Sequence, residues 1–192
     1  MPNQDHAYRQ FQLESPWGWW TLCSTETHVV SLSYEGVNRR EEAQGDLSEH
    51  QPETKLEKQL DCMLARYFRG EVVDFTRIPV DYTLVSPFSA QVLSLLRTVP
   101  FGEVQHYQWL AEKLGKPKAS RAVGRALGGN PWPIIVPCHR IVSKAGTLGG
   151  FMRNCPEGPG IKTGLLALEG VTFPASSSKN AVNEWVTTSL PA

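Results

Sequence analysis

No stretch of this chain restricts its own backbone as much as Asn130-Pro131-Trp132-Pro133-Ile134-Ile135-Val136-Pro137-Cys138-His139-Arg140-Ile141. Each proline fixes its own φ and narrows the choices of the residue before it, so the path through the β-branched run to Cys138 is closely set. The thiol is thereby held in one orientation, with an imidazole beside it. That arrangement suits a nucleophile, because the thiolate is the reactive species and a neighbouring base or cation raises its population. Taken alone, a Cys-His pair is more often structural, since free cysteines are among the most buried residue types.

Composition excludes several classes. With 41% hydrophobic residues, the 192-residue chain holds one domain or two small ones with an ordinary core. No run approaches the roughly 20 apolar residues of a membrane span, and the segment from Met1 to His6 lacks the apolar core of a signal peptide. The expected address is the cytoplasm, or the nucleus in a eukaryote, with no membrane partner. Cys23, Cys62, Cys138 and Cys155 form no Cys-x-x-Cys pair, which argues against a disulfide framework or a zinc ribbon. No glycine-rich nucleotide motif occurs, so no cofactor is expected. The formal net charge is zero, yet residues 1–85 carry 14 Asp and Glu against 8 Lys and Arg, whereas residues 86–192 carry 5 against 11. Only the second half suits a polyanion.

Between Phe11 and Tyr34, polar residues alternate with aromatic and β-branched ones, which predicts a small antiparallel sheet. Residues 35–54 are charged and turn-rich and read as an exposed connection. From Leu56 to Phe68 apolar residues recur at helical spacing and stop before Gly70, predicting an amphipathic helix. Pro79 and Pro87 mark a linker, and Phe88–Leu96 reads as a helix with Val92, Leu93, Leu95 and Leu96 on its core face. Two short helical patterns follow, Tyr107–Leu114 closed by Gly115 and Lys118–Leu127 closed by Gly128-Gly129. At about 100° per residue the second places Ala119, Ala122, Val123, Ala126 and Leu127 on one side and Lys118, Arg121 and Arg125 on another. The pair reads as a helix-turn-helix with one packing face and one basic face, and Ser120 and Gly124 are small enough for close approach to a groove. Beyond Val171 no period is clear, and a surface extension anchored by Trp185 is expected.

Arg121-Ala-Val-Gly-Arg125-Ala-Leu-Gly-Gly-Asn130 and Pro137-Cys138-His139-Arg140-Ile141-Val142 are joined by Pro100-Phe-Gly-Glu-Val-Gln-His-Tyr107 upstream, and by Lys162 and Leu165-Leu166-Ala-Leu-Glu169-Gly170 downstream. Together they resemble the O6-alkylguanine-DNA alkyltransferases, the methylated-DNA–protein-cysteine methyltransferases. The likeness covers residues 86–170, and before residue 80 it rests on Ser15-Pro16-Trp17-Gly18 and Tyr67-Phe68-Arg69-Gly70. It implies an α/β protein with an N-terminal RNase H-like α/β domain (1–80) built on a small antiparallel sheet. A mainly helical, DNA-binding and alkyl-acceptor domain with a helix-turn-helix (86–170) and a tail (171–192) would complete it.

The resemblance implies a monomer that repairs double-stranded DNA containing O6-alkylguanine, and also O4-alkylthymine, by irreversible transfer of one alkyl group to Cys138. It gives His139 the role of taking the thiol proton through a water, and Glu169 that of orienting and charging the imidazole. Arg140 reads as a structural salt-bridge partner. By the same resemblance Tyr107 hydrogen-bonds the flipped base and helps protonate the leaving guanine, and Asn130 braces the active-site turn. The carbonyls of Cys138 and Ile141 accept from the guanine amino group. Arg121 replaces the everted nucleotide in the stack, with Lys118, Ser120, Gly124 and Arg125 around it in the minor groove. Phe151 and Met152 belong to a pocket lid that is longer here than in the family, which leaves alkyl size open. Some relatives hold zinc in the N-terminal domain; Cys23, His28 and His6 have a plausible spacing without an evident fourth ligand, and no metal is assigned. A non-catalytic lesion-binding module would lack Cys138, a cysteine hydrolase would have no use for Arg121 or Tyr107, and a plain helix-turn-helix regulator no use for Pro137-Cys138-His139-Arg140.

Overall fold

The computed structural model describes residues 8–37, 52–144, 147–153, 155–172 and 186–187. Three strands, β1 (Arg9–Ser15), β2 (Gly18–Ser24) and β3 (Val29–Gly36), form the expected antiparallel sheet in that order. Its register follows the alternation in the sequence: Phe11 faces Leu22, Leu13 faces Trp20, and Leu22 faces Leu32, all buried. The tight β1–β2 turn is held by Ser15, whose hydroxyl donates to the Gly18 carbonyl at 2.8 Å and accepts from Trp20 Nε1 at 2.9 Å. Gly18 has a φ of +126°, and a Cβ there would fall 2.6 Å from the Gly36 carbonyl oxygen, so only glycine fits.

Helix α1 (Lys55–Phe68) starts on a capping box, with Thr54 Oγ1 accepting from Glu57 N–H and Glu57 Oε2 accepting from Thr54 N–H. It buries Leu56, Leu60, Leu64 and Tyr67, the stripe its periodicity predicts. Helix α2 (Pro87–Leu96) follows, capped by Ser86 and burying Val92, Leu93 and Leu96. The stretch between α1 and α2 is tied down at several points. The Arg97 guanidinium donates to the carbonyls of Phe75, Thr76 and Ile78, and Val29 N–H donates to the Pro79 carbonyl at 2.9 Å.

The second half carries α3 (Tyr107–Lys113), α4 (Ser120–Gly128) and α5 (Gly158–Leu168). A two-residue parallel ladder joins β4 (Gln105–His106) to β5 (Ile141–Val142). The halves interlock: Leu32 N–H donates to the Pro131 carbonyl at 2.8 Å, Trp132 Nε1 donates to the Val29 carbonyl at 3.0 Å, and one hydrophobic core runs from Phe11 to Leu165.

Two expectations change. Helix α4 begins at Ser120, so Lys118 lies in the turn ahead of it and Ala119 is its N-cap. Lys118 therefore does not share a helical face with Arg121 and Arg125. Pro117 restricts the residue before it, and a backbone bond from Ala119 N–H to the Lys116 carbonyl closes a turn before the helix begins. The start of the tail is also part of the fold: Val171 is buried, and β6 (Val171–Thr172) pairs antiparallel with β7 (Val186–Thr187). His6, Trp185 and most of the connection 35–54 lie outside the described residues.

Candidate active site

Every residue from Trp132 to Val142 is buried, and local bonds set the turn that presents Cys138. Val136 N–H donates to the Trp132 carbonyl at 2.7 Å and Cys138 N–H to the Val136 carbonyl at 2.8 Å. Ile134 is left-handed at φ 71°, costly for a β-branched residue and held by the packing around it. Cys138, His139 and Arg140 then form a single 3-10 turn. Asn130 spans this loop: Oδ1 accepts from Trp132 N–H at 3.0 Å, while Nδ2 donates to the Val136 carbonyl at 2.8 Å and to Cys138 Sγ at 3.1 Å. Asn130 thus fixes the loop and contacts the sulfur directly.

Burial pushes the Cys138 thiol above its ordinary value, against the bond from Asn130 and the charge of Lys162. Burial likewise lowers His139, although Glu169 opposes the shift. At neutral pH the pair therefore rests as thiol and neutral imidazole, and the thiolate forms when its proton is passed on.

His139 Nε2 lies 2.8 Å from Glu169 Oε1, which fixes the ring. The other nitrogen, Nδ1, is buried and makes no hydrogen bond among the described residues. Phe151 packs edge-on against the ring, with centroids 6.2 Å apart. Glu169, the C-cap of α5, is buried and densely satisfied. Arg140 donates from Nε and Nη2 at 2.9 Å, Tyr67 Oη donates at 2.6 Å, and Gly102 N–H donates at 3.2 Å. Burial alone would raise Glu169, but His139 and Arg140 outweigh it and hold the carboxyl far below the ordinary carboxylate range. Arg140 also donates to the Val99 carbonyl at 2.7 Å, so its structural reading holds.

Lys162 is fully buried, donates to the Ile141 carbonyl at 2.6 Å, and is held down by burial to about 8. The Cys138 carbonyl accepts from Ile141 N–H. Both carbonyls expected to meet a guanine amino group thus already accept one internal bond, and a carbonyl has two lone pairs.

Tyr107, the first residue of α3, is half-buried beside two glycines. A Cβ on Gly149 would fall 2.6 Å from its hydroxyl, and one on Gly124 would lie 3.8 Å from its ring. A methyl at Gly124 would make only ordinary contact with the Tyr107 ring, so that packing does not itself require glycine there. Burial, with the charge of Cys138, raises the Tyr107 pKa and keeps the phenol protonated. Ser120 is also engaged internally, donating to Gln108 Oε1 at 2.6 Å and locking α3 to α4. Lys118, Arg121 and Arg125 are exposed, and their side chains make no hydrogen bond or ion pair among the described residues.

Met152, at φ 45°, lines a groove of about 570 Å³ with Tyr34, Asn130, Arg153, Cys155 and Glu157, whereas Phe151 turns inward to His139. The two residues assigned to one lid thus face different surroundings. Among the described residues no group of three or more His, Cys, Asp or Glu is placed to hold a metal. Cys23 is buried, and His28 Nδ1 lies 2.9 Å from Thr27 Oγ1.

Sequence reasoning misses the contribution of Tyr67 and of Gly102 to Glu169, and the engagement of Lys162. Tyr67 falls in the Leu60, Leu64 register of α1 and reads as core; its hydroxyl contact gives no local signal.

Residues 87–171 match the family described as 6-O-methylguanine DNA methyltransferase, DNA binding domain. The methylated-DNA–protein-cysteine methyltransferase of Shigella flexneri is 34% identical over 142 residues, 69% of this chain and 80% of that protein. The crystal structure of the Mycobacterium tuberculosis O6-methylguanine methyltransferase superposes with a TM-score of 0.67 at 30% identity, covering 84% of this chain and 92% of that one. The structure of that organism's OGT in complex with DNA gives a TM-score of 0.66 at 32% identity, with coverage of 84% and 91%.

Proposed function

The chain belongs to the methylated-DNA–protein-cysteine methyltransferase family, and from that premise we propose that it repairs DNA by moving an alkyl group from guanine O6 to Cys138, once per molecule. The observation that carries this reading is the buried run Cys138–His139–Glu169, in which Asn130 contacts the sulfur and the free edge of the imidazole is Nδ1. Neutral His139 takes the Cys138 proton at Nδ1 through a water, and Glu169 stabilises the imidazolium. The sulfur attacks the alkyl carbon, an S–C bond forms, and the C–O6 bond breaks with its electron pair going to the base. The departing guanine regains a proton from Tyr107, whose burial keeps it protonated.

The product is a thioether, which water does not readily cleave, so each molecule reacts once. Access requires the nucleotide to leave the stack. Arg121, exposed on α4, takes its place, and O4-alkylthymine is a second substrate by the same chemistry. Intact-mass measurement after incubation with a duplex containing O6-methylguanine tests the reading. One methyl per protein, mapped to Cys138 and absent from Cys138→Ala, is expected, and Cys138→Ala retains affinity for lesion DNA. A methyl on Cys23, Cys62 or Cys155, or binding without transfer by the unaltered chain, overturns it.

A further inference from the structure

Tyr67 stands on α1, outside the matched segment 87–171, and takes no step in the transfer just described. It is fully buried, with edge contacts to Phe75 and Phe101 at centroid distances of 5.7 and 6.1 Å. Its hydroxyl donates to Glu169 Oε1 at 2.6 Å and lies 3.3 Å from His139 Nε2. We propose that Tyr67 is a positioning residue through which the N-terminal half of the chain sets the proton affinity of His139, by sharing the carboxylate oxygen on which the imidazole rests.

The charge of that oxygen is divided among its donors. His139 Nε2 lies at 2.8 Å, Arg140 Nη2 and Nε at 2.9 and 3.2 Å, and the Tyr67 hydroxyl at 2.6 Å is the nearest of the four. What the hydroxyl takes from Glu169, the imidazole loses. The phenolic oxygen can also accept from Nε2–H, which would favour imidazolium, but at 3.3 Å that contact is past the usual hydrogen-bond range and is the weaker of the two. The net effect of Tyr67 is thus to hold His139 less basic than Glu169 alone would make it. The titratable and charged groups facing the His139 ring are Glu169 and Lys162 from α5, Arg140 and Cys138 from its own turn, and Tyr67 from α1. Of these, the phenol can lose its polar atom with no change of net charge or of ring packing and with the thiol left in place.

Tyr67→Phe keeps the ring and removes the bond. The proposal rests on the alkyl-transfer reading only through its assay, benzyl transfer from free O6-benzylguanine followed by intact mass across a pH series. Transfer needs neutral His139 to take the thiol proton, so the rate falls on the acid side as His139 protonates. With Tyr67→Phe that acid limb is expected to move to higher pH by about half to one pH unit, the size of one hydrogen bond in proton affinity. Leu64→Ala removes packing from the same helix without touching the hydroxyl, and should lower Tm while leaving the limb in place. A limb that stays or moves to lower pH in Tyr67→Phe, or moves equally in Leu64→Ala, overturns the proposal. If Tyr67→Phe does not fold, NMR of the unaltered chain decides: a slowly exchanging Tyr67 hydroxyl proton close to the His139 ring protons supports it, and its absence there overturns it. If the folded chain takes no benzyl group, alkyl transfer itself fails. The pH profile of iodoacetamide labelling at Cys138, which needs the same deprotonation, then decides on the same terms.

Discussion

From Trp132 to Val142 every side chain is buried, and Arg140 makes four hydrogen bonds to Glu169 and Val99. On α4, a few residues upstream, the side chains of Arg121 and Arg125 stand in solvent with no hydrogen bond or ion pair among the described residues. In the turn, charge is committed to internal geometry, so removing one group strands the others. On the helix, charge is left available to an outside partner, and removing it costs the fold nothing. The two regions should therefore respond to substitution in opposite ways.

The largest effect is expected for Glu169→Gln. It leaves Arg140 buried without its counter-charge, and breaking a buried pair costs about 3–5 kcal/mol. It also weakens the base, so benzyl transfer should fall by about 100-fold or more. Urea denaturation and the transfer rate measure both. A loss of under about 1 kcal/mol, the range of surface pairs, would erase the contrast from the side of the turn.

Arg121→Ala should leave stability within about 0.5 kcal/mol. Transfer from duplex DNA should nevertheless slow by roughly 10- to 100-fold, because flipping costs a few kcal/mol. Free O6-benzylguanine needs no flipping, and its rate should be unchanged. Equal loss on both substrates would place Arg121 with the internal charges.

The smallest effect concerns Lys118 and Arg125. Replacing both by glutamine should reduce the slope of log affinity against log salt by about 0.9 for each phosphate that is no longer neutralised. Reactivity of Cys138 toward the free base should not change. An unaltered slope in salt-titrated binding, or strong preference for one undamaged sequence, would remove this surface from DNA recognition.

Legibility in the sequence follows the range of the interaction. The strand alternation from Phe11 to Leu32 and the stripe Leu56, Leu60, Leu64 are local, and the sheet and α1 follow them. The proline-limited turn at Cys138 is local too, and it is where the charge and burial are concentrated. The start of α4 departs from the periodic reading by two residues because Lys118 and Ala119 fit the helical period, whereas the backbone closes a turn there first. Ser120 has an internal partner that the helical period does not announce: its hydroxyl donates to Gln108 and locks α3 to α4. Tyr67, Gly102 and Lys162 lie out of reach because their partners are far along the chain and a buried hydroxyl, amide or ammonium leaves no periodic trace.

The bond between Tyr67 and Glu169 spans 102 residues, and that between Trp132 and Val29 spans 103. Loops of this length return their closure entropy only when long-range packing is complete, so such bonds form slowly compared with helices. During synthesis Tyr67 emerges well before Glu169, and a nascent chain that has passed His139 but not reached Glu169 holds the thiol and its base without the carboxylate that orients the base. Competence to react is therefore acquired at the end of folding. In refolding from denaturant, helical circular dichroism should return first and alkyl acceptance last, so activity rather than helix content marks the mature molecule.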